Sequence, residues 1–113
     1  MQLYDKDLLS VQEVRTLVER AKTAQKELAL ENQRKVDEIV RSVAEAGVRN
    51  ARRLAEMACE ETGFGICEDK AVKNVFASKG VYEEIKDMKT IGELEYDPEK
   101  KLRKIAVPVG VIA

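Results

Sequence analysis

Two thiols, two closely spaced glycines and a pair of adjacent acids are the residues of this chain whose types suit chemistry, and histidine is absent. Lack of histidine removes the commonest general base and the commonest transition-metal ligand. Cys59 and Cys67 stand eight residues apart, a spacing that matches no zinc pattern, and no second ligand pair accompanies them. Cys59 falls on an apolar helical stripe with Ala55 and Ala58, which marks it as core filler, because free cysteine is among the most buried residue types. Cys67 is expected in the loop between two helices. Only Lys70 stands near enough in sequence to lower its pKa, so this thiol reads as structural or incidental.

Gly63-Phe64-Gly65 has the Gly-x-Gly form but follows a helix. A dinucleotide fingerprint needs strand-then-helix order, so the motif reads as a helix stop. Glu60 and Glu61 are adjacent, which on a helix points them in different directions and makes them solvated acids rather than an acid/base pair. Asp69 and Lys73 are spaced for an i,i+4 ion pair worth roughly a few tenths of a kcal/mol. The residues by themselves form no catalytic constellation, and no catalytic, cofactor-binding or metal site is assigned to them.

The elements that hold these residues follow from the spacing of apolar side chains. Ser10-Val11-Gln12-Glu13 has the Ser-x-x-Glu form of a capping box, in which each side chain satisfies the other's orphan backbone N–H. Behind it Val11, Val14, Leu17, Val18, Ala21, Ala24 and Leu28 make one stripe of a first helix. A second helix carries Val36, Ile39, Val40, Val43 and Ala44. Gly47 costs a helix interior about 1 kcal/mol relative to Ala, so a break or kink near it is expected to separate two helices. The stripe resumes with Val48, Ala51, Leu54, Ala55 and Ala58. A further helix starts near Glu68-Asp69, acids suited to the positive end of a helix dipole, and is expected to bury Val72, Val75, Phe76, Tyr82 and Ile85.

After Lys89 the period changes. Residues 90–96 and 101–107 read as two strands, and Asp97-Pro98-Glu99-Lys100 as the turn between them, since Pro presets the backbone angle of a turn's second residue. Two strands alone are marginal in water, and Glu93, Glu95, Lys101, Arg103 and Lys104 keep one face wet. The ribbon therefore wants a partner sheet. Val107-Pro108-Val109-Gly110-Val111-Ile112-Ala113 is a β-branched run of the kind buried in a sheet, with nothing after it to bury it. It reads as the front edge of something larger.

Composition bounds the class. The chain has 113 residues, one domain's worth, with 36% charged and 4% aromatic residues, which favours helix around a light core. Lys+Arg 20 against Asp+Glu 21 leaves a net charge of −1, without the electrostatic footprint of a nucleic-acid or anionic-membrane binder. No apolar stretch approaches the roughly 20 residues of a membrane span, and the amino terminus lacks a secretory pattern. Two cysteines in such a chain suggest a reducing cytoplasm and free thiols.

The run Glu60-Glu61-Thr62-Gly63-Phe64-Gly65, then Glu68-Asp69-Lys70, Lys73-Asn74 and Ala77-Ser78, resembles the amino-terminal region of the coenzyme-A-acylating aldehyde dehydrogenases, including the aldehyde dehydrogenase half of bifunctional aldehyde-alcohol dehydrogenases. The closing Val107-Pro108-Val109-Gly110-Val111-Ile112 is similar to the entry of that family's nucleotide-binding domain. The resemblance covers nearly the whole chain. It implies an α/β parent, of which this part is mainly α: about four helices, a β-hairpin and the first strand of a nucleotide-binding sheet. Residues 1–89 would be the helical part of the nucleotide-binding domain, 90–107 an oligomerisation hairpin, and 108–113 the start of the first Rossmann-like strand.

For the parent the resemblance implies NAD and coenzyme A as cofactors, small aldehydes as substrates and a homo-oligomer in the cytoplasm, free or inside a bacterial microcompartment. A cysteine would take the aldehyde as a thiohemiacetal, hydride would leave to NAD, and coenzyme A would lift the acyl group from the thioester. In the family that cysteine lies far downstream, and neither Cys59 nor Cys67 matches its position. This part alone is expected to be inactive. Leu94, Tyr96, Leu102 and Ile105 are the candidates for oligomer contacts; the alternative is that they pack on the last helix. A different reading of the whole chain is a stand-alone helical interaction module without catalysis.

Overall fold

A computed structural model describes residues 4–113; Met1–Leu3, part of the segment without a secretory pattern, lie outside the described residues. The chain divides into two compact units, one of residues 33–89 and one of residues 4–32 with 90–113.

The first unit is a helical hairpin. Helix α2, Gln33–Thr62, runs 30 residues without interruption. The break expected at Gly47 does not occur, and the two helices expected on either side are one. Packing overrides the local cost of glycine, because Ser78 from the returning helix sits directly on Gly47. Gly63 and Gly65, at φ of 66° and 78°, then turn the chain after α2 has ended. Glycine carries no Cβ penalty in this left-handed region, so the helix stop falls where the sequence indicates.

The chain returns as α3, Cys67–Val75, continued by a π-helical turn, Phe76–Gly80, and by α4, Val81–Ile85. A small-residue seam joins the two rods. Ala51 and Ala55 of α2, 4% and 0% exposed, are the buried hydrophobic residues among those described. Across from them Cys67, Ala71, Asn74, Ser78 and Tyr82 are half-buried, at steps of three and four residues. Of the large side chains expected in this core, Val72 and Phe76 are instead 70% and 69% exposed, and Val75 and Ile85 are exposed as well. The reason is angular. Val72 lies about 100° around the helix from Ala71, and the close approach that small residues allow selects the Ala71–Asn74–Ser78 side.

In the second unit α1, Lys6–Leu28, starts ahead of the expected capping box. Asp5 is its cap: the carboxylate accepts hydrogen bonds from the backbone N–H of Asp7 at 2.9 Å and of Leu8 at 3.0 Å. Ser10 is interior to the helix. An aspartate suits the positive helix end as well as a serine does, and it adds a charge. No residue of α1 is buried, and Val11, Val14 and Leu17 of its stripe are exposed.

Strands β1, Gly92–Asp97, and β2, Leu102–Ala106, pair antiparallel as the expected ribbon. Asp97 shapes the turn by accepting hydrogen bonds from the N–H of Glu99 and of Lys100, both at 3.0 Å. A β-bulge between Glu93 and Glu95 shifts the register. Residues 107–113 have no regular secondary structure. A strand of that apolar type forms only between neighbours, and none is present among the described residues. No described helix is long and apolar enough to cross a membrane.

Candidate functional site

The residues that the sequence singles out meet at the turn between α2 and α3. Arg52, on α2, reaches over to Glu68 in the first turn of α3 and donates two hydrogen bonds, Nη1 to Oε2 at 3.0 Å and Nη2 to Oε1 at 2.6 Å. This fork holds the Glu68 carboxyl below the usual carboxylate range, chiefly through the hydrogen bonds and then through charge. Glu56 lies on the other side of the same guanidinium, at 3.5 Å. The acid of this turn that pairs is thus Glu68, across the hairpin, rather than Asp69 with Lys73. Bidentate geometry between two helices is specific, whereas an i,i+4 pair on one exposed face is weak.

Cys67 is the first residue of α3 and not a loop residue. Both thiols are free and half-buried. Burial pushes the Cys67 thiol up, and so do Cys59 and Glu56, while Arg52 opposes the rise. Sequence spacing identified Lys70 as the nearby cation, but the basic neighbour that acts on Cys67 is Arg52, brought in by the helix packing. A thiol held up in this way is a poor nucleophile at neutral pH.

Asn74 is a second tie that spacing alone did not reveal. Its Nδ2 donates to the backbone carbonyl of Ala51 at 3.0 Å, next to the buried centre of the seam. Beside this seam runs an open groove of about 750 Å³, floored by Val48, Val72, Val75 and Phe76 and rimmed by Arg49 and Lys79. It offers apolar contact and charge, and its two acids, Glu68 and Glu83, are paired with Arg52 and Lys86. Among the described residues no group of three or more Cys, Asp and Glu is placed to hold a metal ion.

The hairpin candidates do not form one patch. Leu94, Tyr96, Leu102 and Ile105 are all exposed. Tyr96 stands opposite Arg103, Leu102 opposite Asp97, and Ile105 opposite Glu93. Directly opposed residues share a face and residues two apart on one strand do as well, so Tyr96 and Ile105 share a face while Leu102 lies on the other. Each face carries an ion pair: Glu93 with Arg103, and Glu95 with Lys104. Arg103 also stacks over the Tyr96 ring, 4.3 Å from its centroid. The bulge is what divides the acids of β1 between the two faces, and strict alternation, which assumes no bulge, would put Glu93 and Glu95 together.

No protein-family model matches the chain. Among characterised proteins it is 46% identical to a bifunctional aldehyde-alcohol dehydrogenase of Escherichia coli, over 91% of this chain and 12% of that protein. It is 39% identical to a succinate-semialdehyde dehydrogenase (acetylating) of Clostridium kluyveri, over 88% of this chain and 22% of that one. The fold matches a crystal structure of a probable aldehyde dehydrogenase from Listeria monocytogenes, with a TM-score of 0.81, 60% identity, and coverage of 92% of this chain and 23% of the other. An acetylating aldehyde dehydrogenase from Geobacillus thermoglucosidasius matches with a TM-score of 0.76 and 54% identity, over 86% of this chain and 22% of the other. The chain therefore spans 12% to 22% of the length of these two curated relatives. In sequence and in fold, the chain is a homologue of the amino-terminal part of the acylating aldehyde dehydrogenases.

Proposed function

We propose that the chain serves as the amino-terminal part of an NAD-dependent, coenzyme-A-acylating aldehyde dehydrogenase, and that it has no activity by itself. The parent enzyme would convert an aldehyde, coenzyme A and NAD to an acyl-CoA and NADH, reversibly, in the cytoplasm or a bacterial microcompartment. The observation that carries this reading is the 46% identity to an aldehyde-alcohol dehydrogenase over 91% of the chain. The chemistry of the chain supports the division of labour. Its Cys67 thiol is raised in pKa, and the acids that line its groove, Glu68 and Glu83, are paired with Arg52 and Lys86.

On this reading residues 1–89 are the helical part of the nucleotide-binding domain, 90–107 an oligomerisation hairpin, and 108–113 the beginning of its first strand. The exposed apolar run at 107–113 supports that assignment, since such a strand gains its stability from neighbours in a parallel sheet. Leu94, Tyr96, Leu102 and Ile105 are then contacts in a homo-oligomer. A two-stranded ribbon with exposed apolar side chains and open edges suits such a role.

The test is to express the full-length protein that carries this chain and to follow NADH formation with small aldehydes. Activity that requires aldehyde, NAD and coenzyme A together is expected, and none from the 113-residue chain. A full-length protein that makes no NADH under these conditions, or makes it equally without coenzyme A while releasing free acid, overturns the reading.

A further inference from the structure

Val72 and Phe76, both largely exposed, floor the groove beside the seam together with Val48 and Val75. Past Val48 and Arg49 the groove continues into a second hollow of about 400 Å³ that reaches Arg41 and Tyr82. From Arg52 to Arg41 the rise along α2 is roughly 16 Å, three turns of helix. Contiguous apolar surface of this kind marks a contact site on a soluble protein. Its rim is charged unevenly. Glu68 pairs with Arg52, Glu83 with Lys86, and Glu45 with Arg41. Arg49 and Lys79 line both hollows, which makes the middle of the groove positive. No carboxylate lies within ion-pair distance of Arg49 among the described residues. We propose that an amphipathic helix from the part of the parent polypeptide outside this chain lies in the groove, its apolar stripe on Val72 and Phe76 and a carboxylate of its own on Arg49.

This deepens the reading of the chain as part of a longer enzyme and rests on it. The solved homologues from Listeria and Geobacillus supply the length: the match covers only 23% and 22% of them, so most of such a polypeptide lies outside this part. Physical chemistry selects the kind of segment. An extended strand laid on an apolar floor would leave backbone N–H and C=O groups without partners, whereas a helix satisfies its own. Two antiparallel helices also present ridges and grooves of the shape that a third helix fills. The charge selects the register. Covering Arg49 without a partner would strand a cation away from water, so the occupant must bring an acid to it.

The experiment uses the full-length protein with the photoreactive residue benzoylphenylalanine in place of Val72 or, separately, of Phe76. Two positions are used so that a folding defect at one leaves the other to report. After irradiation a cross-link within one polypeptide is expected, at monomer mass on a denaturing gel. Mass spectrometry should place its far end on a peptide beyond residue 113 that carries Asp or Glu. Arg49→Glu should lower the melting temperature of the full-length protein, and exchanging that peptide's acid for lysine in the same background should recover the loss. A cross-link at twice the monomer mass would seat a second copy in the groove and overturn the proposal. So would a link to a different protein, a link confined to residues 1–113, or no link in the folded variants. An unchanged melting temperature for Arg49→Glu would overturn the pairing with Arg49. None of these readings uses aldehyde turnover, so an active enzyme with an empty groove sinks this inference alone.

Discussion

Ser78 occupies the place that a side chain on Gly47 would need: a Cβ built on the glycine lies 2.2 Å from Ser78 Oγ and 2.9 Å from Ser78 Cβ. Neither distance is compatible with two real atoms, so the α2–α3 crossing depends on a glycine at this point. The same contact coincides with the π-helical turn at Phe76–Gly80. An extra residue in a helical turn changes which side chain faces the partner, and here it delivers Ser78 to Gly47.

Gly47→Ala should therefore destabilise the chain, although alanine is the better helix former. Overpacking of this kind costs about 1–3 kcal/mol, against a gain of about 1 kcal/mol in helix propensity, leaving a net loss of up to roughly 2 kcal/mol. Pairing it with Ser78→Gly should recover part of that loss. Urea unfolding followed by circular dichroism, run as a double-mutant cycle, reads both. An alanine variant as stable as the parent would show that the crossing yields.

The same crossing explains what the sequence conveyed and what it hid. Gly63-x-Gly65 as a helix stop, the change of period after Lys89 and Asp97-Pro98 as a turn are local properties, set by backbone angles within a few residues. They were legible. The break expected at Gly47 was not, because whether a glycine interrupts a helix or admits a neighbour depends on a residue 31 positions away. Val72 and Phe76 misled for a related reason. Hydrophobic periodicity finds the face with the largest apolar area, whereas close helix contact is made by Ala51, Ala55 and Ala71, which score weakly on that measure. The Arg52–Glu68 fork and the tie from Asn74 to Ala51 both arise from this packing, and no spacing rule anticipates them.

Lys101 adopts φ of 52°, the one non-glycine residue at positive φ among those described, at the end of the hairpin turn. An L-residue with a Cβ pays roughly 1 kcal/mol there. Lys101→Gly should raise the melting temperature of the hairpin unit, less a few tenths of a kcal/mol for the extra freedom of glycine in the unfolded chain. Thermal denaturation of wild type and variant is sufficient, and a lower melting temperature for the glycine variant would sink the idea. Lys101→Val should go the other way, since a β-branched residue tolerates this region worst.

Glu68 ties stability to pH. Its folded pKa is lowered by Arg52, so its contribution is present above the unfolded value of about 4.3 and is lost as pH falls through the folded value. The raised pKa of Arg52 acts on the opposite side, far above any accessible pH. The link between α2 and α3 should thus weaken only in acid. Carbon-13 titration of the Glu68 carboxyl should give a midpoint below the usual glutamate value of about 4.3, and Arg52→Gln should return it to the ordinary range. Identical midpoints in wild type and Arg52→Gln would show the fork absent in solution.

The division of the hairpin into two faces makes the oligomer proposal sharper than a count of apolar residues would. Tyr96 and Ile105 share one face and Leu102 lies on the other, so a partner that covers a single face distinguishes them. An apolar side chain of this size, fully buried in an interface, contributes about 1.5–3 kcal/mol, which corresponds to roughly ten- to hundredfold in association. Alanine at Leu102 and Ile105 together should lower the molar mass of the full-length protein in light scattering at dilution. The single variants then assign the face: dissociation with Ile105→Ala but not Leu102→Ala places the contact on the side where Arg103 stacks on Tyr96. An unchanged mass for the double variant would leave the ribbon covered from within its own subunit, by a helix rather than by a partner.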